Sequence, residues 1–224
     1  LKETLAAAML AAAGWQGRAE DGALFDPCCG AGTIAIEAAQ IACGIAPGLH
    51  RRFAFEQLLP WRGLLPAWGE ILAQAQAAVH ASAVPIFAGD VSFRMTDFAA
   101  ANARLAGVAQ AINFKTADAL QRPPPAEHGT MILNPPYGER IGAGGQGSGQ
   151  RETFDGGGTP AEFFNQLAAH WKRQYPRWTA WVLSPEMKLP SLMRLKESRR
   201  VPMYNGPIEC RLFRFDMVAG SARD

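Results

Sequence analysis

The tetrapeptide Asn134-Pro135-Pro136-Tyr137 carries the groups needed to hold a flat molecule with an exocyclic amine. The Asn134 side-chain oxygen and the Pro135 carbonyl can accept hydrogen bonds from the two N–H bonds, and the prolines fix their direction. Tyr137 can stack on the ring, a contact worth roughly 1–3 kcal/mol for a nucleobase. A conjugated amine is a poor nucleophile, so acceptors that draw it toward tetrahedral geometry favour its attack on a carbon. The motif predicts chemistry on a planar NH2 group, although an isolated Asn-Pro-Pro also occurs as a simple loop breaker.

A glycine-rich turn, Asp26-Pro-Cys-Cys-Gly-Ala-Gly32, lies upstream between a short apolar segment and a helical pattern. Such a turn aims backbone N–H groups at a ligand and places the ligand at the positive end of a helix. The spacing Gly30-x-Gly32-x-x-Ala35 also satisfies the loose dinucleotide fingerprint, so NAD stays open at this point. A carboxylate at Asp26 suits an ammonium group and opposes a pyrophosphate. Together with the amine-holding tetrapeptide, the turn predicts transfer of a methyl group from a sulfonium donor to a planar NH2.

Two further aspartates follow the next predicted strands and complete the expected cofactor site. Asp90 can accept hydrogen bonds from ribose hydroxyls, and Asp118 can meet an adenine amine; each can also be an ordinary turn or cap residue. The predicted cofactor-binding residues are Asp26, Cys28, Gly30, Ala31, Gly32, Thr33, Asp90, Asp118 and Asn134. The predicted catalytic residues are Asn134, Pro135, Pro136 and Tyr137.

Strand and helix patterns alternate along the chain, which indicates one α/β domain over residues 1–224 with a mostly parallel sheet and helices on both faces. Strands are predicted at 24–25, 84–88, 111–116, 130–133 and 179–183, with a C-terminal hairpin at 199–204 and 210–218 that adds an antiparallel strand. Helices are predicted at 33–45, 68–81, 95–106, 160–174 and 191–196. An aromatic-rich insertion covers about 47–82. The glycine-rich stretch at about 142–158 is expected to be a flexible loop, either a lid or plain disorder.

The composition by itself excludes few classes of protein. The net charge of the 224 residues is +2, yet residues 171–214 hold ten Lys and Arg against three Asp and Glu, a surface that either faces phosphates or is merely solvated. The four cysteines lack metal-ligand spacing, so we expect no metal and a reducing, cytoplasmic setting. No stretch is long enough for a transmembrane helix. His80, His128 and His170 are expected on the surface.

Four longer motifs carry a family resemblance: Leu1-Lys-Glu-Thr-Leu-Ala6, Phe25-Asp-Pro-Cys-Cys-Gly-Ala-Gly-Thr33, Gly48-Leu-His-Arg-Arg-Phe53 and Asn134-Pro-Pro-Tyr-Gly-Glu-Arg140. With them the chain resembles the class I S-adenosylmethionine-dependent RNA methyltransferases linked to a THUMP domain. Within that group it is most similar to the bacterial large-subunit ribosomal RNA guanine-N2 methyltransferases of the RlmL type, including members described as N6-adenine-specific DNA methylases.

The resemblance implies a Rossmann-like, seven-stranded sheet with one reversed strand, S-adenosylmethionine across the strand carboxyl ends, and ribosomal RNA as the partner. It also implies a THUMP domain before residue 1, which this chain lacks, so we expect cofactor binding with poor RNA methylation by this part alone. The chain begins at Leu and is expected to be a piece of a longer protein. The residues Val91-Ser-Phe-Arg-Met95 depart from the acidic stretch often found after the ribose-binding residue, which puts the detailed ribose contacts in question.

Other functions fit parts of the pattern. Within the same chemistry, an Asn-Pro-Pro-Tyr turn also suits adenine-N6 methylation of DNA or RNA and methylation of a protein glutamine amide. An NAD-dependent oxidoreductase is the alternative that the glycine spacing allows. A non-catalytic RNA-binding module is the alternative that the basic C-terminal third allows.

Overall fold

The computed structural model describes residues 1–136 and 159–218. Tyr137 and the predicted glycine-rich loop therefore lie outside the described residues. The strands are β1 (Ala23–Asp26), β2 (Ile86–Asp90), β3 (Ile112–Thr116), β4 (Gly129–Leu133), β5 (Trp178–Ser184), β6 (Arg199–Asn205) and β7 (Ile208–Asp216). The helices are α1 (Glu3–Ala13), α2 (Thr33–Ala42), α3 (Leu65–Ala77), α4 (Phe93–Leu105), α5 (Pro160–Gln174) and α6 (Leu189–Met193), joined by short 3-10 turns.

The described strands form a seven-stranded sheet in the order β3-β2-β1-β4-β5-β7-β6. The strands from β3 to β5 pair in parallel, whereas β7 pairs antiparallel with both β5 and β6. This arrangement confirms the predicted fold class, a mostly parallel sheet with one reversed strand near the C-terminus. Because β7 is reversed, β6 runs parallel to β5 and ends at the same edge of the sheet.

Each face of the sheet is covered by its own set of helices. On one face α1, α2 and α4 pack in a core that includes Leu24, Ala88 and Leu183. On the other face α5 and α6 pack in a core that includes Phe25 and three large aromatic side chains, Trp171, Tyr175 and Trp178. All four residues of β1 are buried, as expected for a central parallel strand with helices on both sides.

Local signals explain where the helices begin and end. Ser92 caps α4 by accepting a hydrogen bond from the Met95 N–H at 3.4 Å, so that helix begins two residues before the predicted position. At α5, Thr159 and Glu162 form a reciprocal capping box. Gly14, with φ of 73°, ends α1 in the left-handed conformation that favours glycine.

The insertion between α2 and β2 contains 3-10 turns and α3, which begins at Leu65 rather than at the predicted residue 68. Pro66 at the start of a helix is favourable, because its missing N–H would have no partner there. Trp68 packs edge-on against Phe53 and Phe55, with ring centroids 5.5 and 5.2 Å apart. The aromatic residues thus form a cluster of half-buried side chains within this segment.

One surface prediction is wrong. His170 is only 7% exposed, because α5 turns it toward the sheet, where its Nε2 bonds to the Arg122 carbonyl at 2.8 Å; His80 and His128 are exposed as expected. Within residues 1–136 and 159–218, no helix is both long and apolar enough to cross a membrane.

The basic C-terminal third is partly neutralised by neighbouring carboxylates. In the described residues, four of its arginines form exposed ion pairs: Arg177 with Glu127, Arg200 with Glu197, Arg211 with Glu209, and Arg214 with Asp216. Exposed pairs of this kind contribute little to stability. They do lower the positive charge that this surface can offer to a phosphate backbone.

Candidate functional site

The predicted site residues gather at the carboxyl edge of the sheet. Asp26 and Asp90 are the last residues of β1 and β2, and Asp118 follows the end of β3. Asn134 directly follows β4, which is paired with β1 in parallel. Residues more than 100 positions apart in the sequence therefore lie on neighbouring strands, where parallel strand ends meet.

The glycine turn is held by bonds from β2. The Asp90 carboxylate accepts from the Gly30 N–H at 3.0 Å and from the Ser92 N–H at 2.9 Å. The Cys29 N–H donates to the Gly89 carbonyl at 2.8 Å. Asp90 thus fixes the shape of the turn, a role that the strand-end position alone did not predict.

Several N–H groups expected to face a ligand bond within the site instead. The Cys28 N–H donates to Asp26 Oδ1 at 3.2 Å, and the Gly32 N–H donates to the Cys29 carbonyl at 2.8 Å. With the bonds of Cys29 and Gly30 described above, four backbone N–H groups of the turn already have partners within the protein. The first turn of α2, which begins at Thr33 and has no side-chain cap, offers further backbone donors to a ligand.

The two glycines of the turn have different local roles. At Gly30, with φ of 51°, a Cβ would meet nothing within 4 Å, so the space beside it is open. At Gly32, with φ of 85°, a Cβ would lie 3.0 Å from the Ala99 Cβ. Gly32 therefore allows α2 to pack closely on α4, whereas Gly30 keeps the approach to the backbone clear.

Asn102 on α4 anchors the same turn from the other side. Its side-chain Nδ2 donates to the Ala31 carbonyl at 2.9 Å. Sequence reasoning did not single out this residue, since nothing in its spacing distinguishes it from other polar residues of the helix. The anchor is visible only once α4 is placed beside α2.

Acidic side chains dominate the site. Asp26 is 1% exposed, and burial raises its pKa to about 8, with a further contribution from the Asp90 carboxylate. Burial raises the pKa of the Cys28 thiol well above its usual range, and the carboxylates of Asp26, Asp90 and Asp118 act in the same direction. The Cys28 thiol therefore lies within electrostatic reach of all three aspartates. Such a site favours a cationic ligand and disfavours a pyrophosphate.

Asp118 shapes the third loop of the site. Its Oδ1 accepts from the Leu120 N–H at 2.9 Å, and its Oδ2 accepts from the Gln121 side chain at 3.2 Å. These bonds are those of a turn residue. A contact of Asp118 with an adenine amine remains a prediction.

A buried arginine ties this loop to the core beneath the site. The Arg122 guanidinium donates to the Ala88 carbonyl at 3.3 Å and lies 4.5 Å from the centre of the Phe25 ring. Burial lowers the pKa of Arg122. Its own carbonyl accepts from the Tyr175 hydroxyl at 2.8 Å, besides the bond from α5 described above. Sequence reasoning missed Arg122, because only the fold brings it beneath β2.

The amine-holding turn is described up to Pro136. Asn134 is half-buried, Pro135 is buried and Pro136 is exposed. The predicted stacking residue, Tyr137, lies outside the described residues. In the described part of the chain, no group of three or more His, Cys, Asp or Glu side chains is arranged to hold a metal ion.

Comparison with known proteins agrees with this geometry. Residues 1–214 match the family UPF0020, described as the RMKL-like methyltransferase domain. The chain is 39% identical over 229 residues to the ribosomal RNA large subunit methyltransferase K/L of Shewanella baltica (strain OS195). That alignment covers all of this chain and 30% of the relative, so the chain spans about a third of the length of the curated relatives it matches.

Solved structures share the fold over nearly the whole chain. The SMU.472 protein complexed with SAH superposes with a TM-score of 0.80 at 28% identity, covering 96% of this chain and 52% of that one. A protein from Listeria monocytogenes str. 4b F2365, described as a predicted N6-adenine-specific DNA methylase, has a TM-score of 0.78 at 28% identity and covers 96% and 51%.

The parallel sheet with one reversed strand and the carboxylate-lined glycine turn define a class I methyltransferase domain that uses S-adenosylmethionine. The chain belongs to the UPF0020 family of RMKL-like methyltransferase domains.

Proposed function

We propose that this domain transfers a methyl group from S-adenosylmethionine to the exocyclic N2 amine of a guanine in large-subunit ribosomal RNA. The observation that carries the proposal is the pairing of β1 with β4, because it sets the cofactor turn beside Asn134. The curated relatives, which are named for large-subunit ribosomal RNA, support RNA as the substrate class.

The donor set of the site fits this cofactor. The carboxylates of Asp26, Asp90 and Asp118 favour its positive charge, and the uncapped start of α2 at Thr33 suits its carboxylate. In the proposed contacts, Asp90 binds the ribose with lone pairs that its two backbone bonds leave available, and Asp118 meets the adenine amine. Cys28, Gly30, Ala31 and Gly32 supply the turn around it.

The cofactor supplies a methyl group on a positively charged sulfur, which is a good leaving group. The protein supplies alignment of the amine with that group and a suitable electrostatic environment. Asn134 and the Pro135 carbonyl accept from the two N–H bonds of the target amine and draw it toward tetrahedral geometry. Pro136 stiffens the turn, and Tyr137 stacks on the base. A target within a duplex has to be flipped out to reach this turn.

Adenine-N6 methylation is the second candidate. The likeness to the Listeria protein, which is described as an N6-adenine-specific DNA methylase, supports it, and the acceptors of Asn134 suit either amine. Methylation of a glutamine amide uses the same turn, but the relatives reported above are not named for it. The negative charge around Cys28 argues against NAD, since a pyrophosphate would lie among carboxylates.

Nucleoside profiling of large-subunit RNA tests the proposal. Deletion of the gene should remove an N2-methylguanosine that the wild-type protein restores. Asn134→Ala should not restore it, because loss of an acceptor aimed at the reacting group costs about 100- to 1,000-fold in kcat. Asn113→Ala, which changes an exposed asparagine on β3, is the matched control and should restore it.

Calorimetry with S-adenosylhomocysteine should show that Asn134→Ala still binds the cofactor product. Unchanged N2-methylguanosine in the deletion strain would reject the guanine assignment, and loss of N6-methyladenosine instead would favour the second candidate. If Asn134→Ala fully restores the modification, a non-catalytic RNA-binding role is the better account. Ribosomal RNA as partner, a separate THUMP domain and a cytoplasmic location are parts of this proposal.

A further inference from the structure

The β6–β7 hairpin extends beyond the rest of the sheet at the edge that carries Asn134. The pairing of β5 with β7 ends at Ser184 opposite Arg211, whereas β6 and β7 stay paired up to Asn205 opposite Ile208. Three more residues of β7 therefore project past the end of β5, a distance of about 10 Å. Since β6 runs parallel to β5, this projection lies at the carboxyl edge of the sheet.

The projecting part is braced. An isolated two-stranded hairpin is only marginally stable, so an overhang needs support of its own. Met203 and Cys210, a cross-strand pair within the projecting part, are 8% and 0% exposed and pack in the α1–α2–α4 core. Gly206, with φ of 64°, makes the tight turn at the tip. The projecting strands are therefore anchored on the core of the domain.

The hairpin and the cofactor carboxylates lie on opposite sides of Asn134. In the strand order, β4 separates β1, β2 and β3, which lead to the three aspartates, from β5, β7 and β6. Tyr204, near the end of β6, is 64% exposed, an unusual exposure for a large aromatic side chain within a strand. It lies three strands from Asn134, about 14 Å across the sheet and about 10 Å further along the strands. At that distance it cannot reach the target base itself but can reach its neighbours.

We propose that this hairpin is a contact surface for the RNA strand, and that Tyr204 stacks on a base flanking the methylated one. The inference rests on the proposed function. The cofactor occupies one side of Asn134, so the strand that enters there continues over the other side, where the hairpin projects. An exposed aromatic ring on a braced backbone suits a base face of any sequence.

Substitutions at the tip test this with a matched control on the same hairpin. Ile208 is 44% exposed and shares the face of the α1–α2–α4 core, since it lies two residues from Cys210. Tyr204 directly follows Met203 of that core and therefore lies on the opposite face. The full-length protein is assayed on large-subunit RNA purified from the deletion strain. Tyr204→Ala should raise the KM for RNA about five- to 150-fold with kcat within about twofold. Tyr204→Phe and Ile208→Ala should stay close to wild type.

The outcomes separate this inference from the proposed function. If wild-type protein methylates the RNA and Tyr204→Ala has an unchanged KM, the hairpin contact is wrong and the function stands. An equal loss in Tyr204→Ala and Ile208→Ala also overturns it, because the effect is then on the hairpin's fold. If wild type transfers no methyl group, the proposed function fails, and anisotropy of a labelled RNA decides the contact: equal binding by wild type and Tyr204→Ala refutes it. Binding of S-adenosylhomocysteine should not change in any variant.

Discussion

Cofactor affinity should rise steeply with pH, because Asp26 must lose a proton to favour the ammonium group that both S-adenosylmethionine and S-adenosylhomocysteine carry. Burial raises the pKa of this carboxyl to about 8, so below that pH it is mostly neutral in the ligand-free protein. If only the ionised form binds well, the apparent Kd is multiplied by one plus the ratio of protonated to ionised Asp26. That factor is about 100 at pH 6, about 11 at pH 7 and close to 1 at pH 9.

Asp26→Asn is the variant that isolates this effect. It keeps the side-chain shape and the oxygen that accepts from the Cys28 N–H, but it cannot ionise. S-adenosylhomocysteine binding is measured by calorimetry from pH 6 to 9 for both proteins, in buffers of different ionisation enthalpy. The ratio of the two Kd values at each pH cancels titration of the ligand. We expect that ratio to change by roughly 100-fold and about 0.9 proton to be released on binding at pH 7.

A ratio of Kd values that stays flat from pH 6 to 9, or the absence of proton release at pH 7, would rule out ionisation of Asp26 on cofactor binding. The effect on folding has the opposite sign and provides a second check. Because the folded-state pKa of Asp26 lies above its ordinary value, its contribution to stability is present at low pH and is lost as pH rises through about 8. The free energy of unfolding of the ligand-free Asp26→Asn variant should lose that part of the pH dependence.

Two stability predictions follow from the glycines around the site. Gly32→Ala should lower the free energy of unfolding by about 1–2 kcal/mol more than Gly107→Ala, because both glycines have positive φ but only Gly32 of the two has a close neighbour, Ala99. Equal losses for the two variants in thermal melts would refute the packing role of Gly32. Gly89→Ala should lower the free energy of unfolding by about 1–3 kcal/mol, because the new Cβ would lie 2.5 Å from the Arg122 guanidinium. In an Arg122→Ala background that loss should largely disappear, and an unchanged loss in the double variant would exclude the contact.

Much of the architecture is predictable from the sequence because it depends on local patterns. Short apolar runs indicated the parallel strands, and the Asn205-Gly206-Pro207 turn indicated the hairpin with its reversed strand. The helix boundaries shifted where caps decided them, as at Ser92. His170 was misplaced because its burial depends on a partner carbonyl 48 positions away, which no local pattern records.

Only the part of the candidate site that follows from local patterns was predicted. Strand ends could place the aspartates at one edge, since that follows from a parallel sheet. Their partners could not be predicted: Asp90 bonds to Gly30, and Asn102 bonds to Ala31, across 60 and 71 positions of sequence. These contacts depend on how α4 and β2 pack beside the turn, a tertiary arrangement that residue spacing does not encode.

The topology alone does not select methyl transfer over hydride transfer. The strand order reverses at β1, so a crevice lies at the carboxyl ends of β1 and β4, and such crevices bind dinucleotides in other proteins of this architecture. What distinguishes this crevice is charge. Burial and three neighbouring carboxylates raise the pKa of the Cys28 thiol, and a pyrophosphate would bring further negative charge to that place. A cationic ligand instead lowers the energy of the ionised carboxylates around it, so the charge of the site favours S-adenosylmethionine over a dinucleotide where the glycines alone do not.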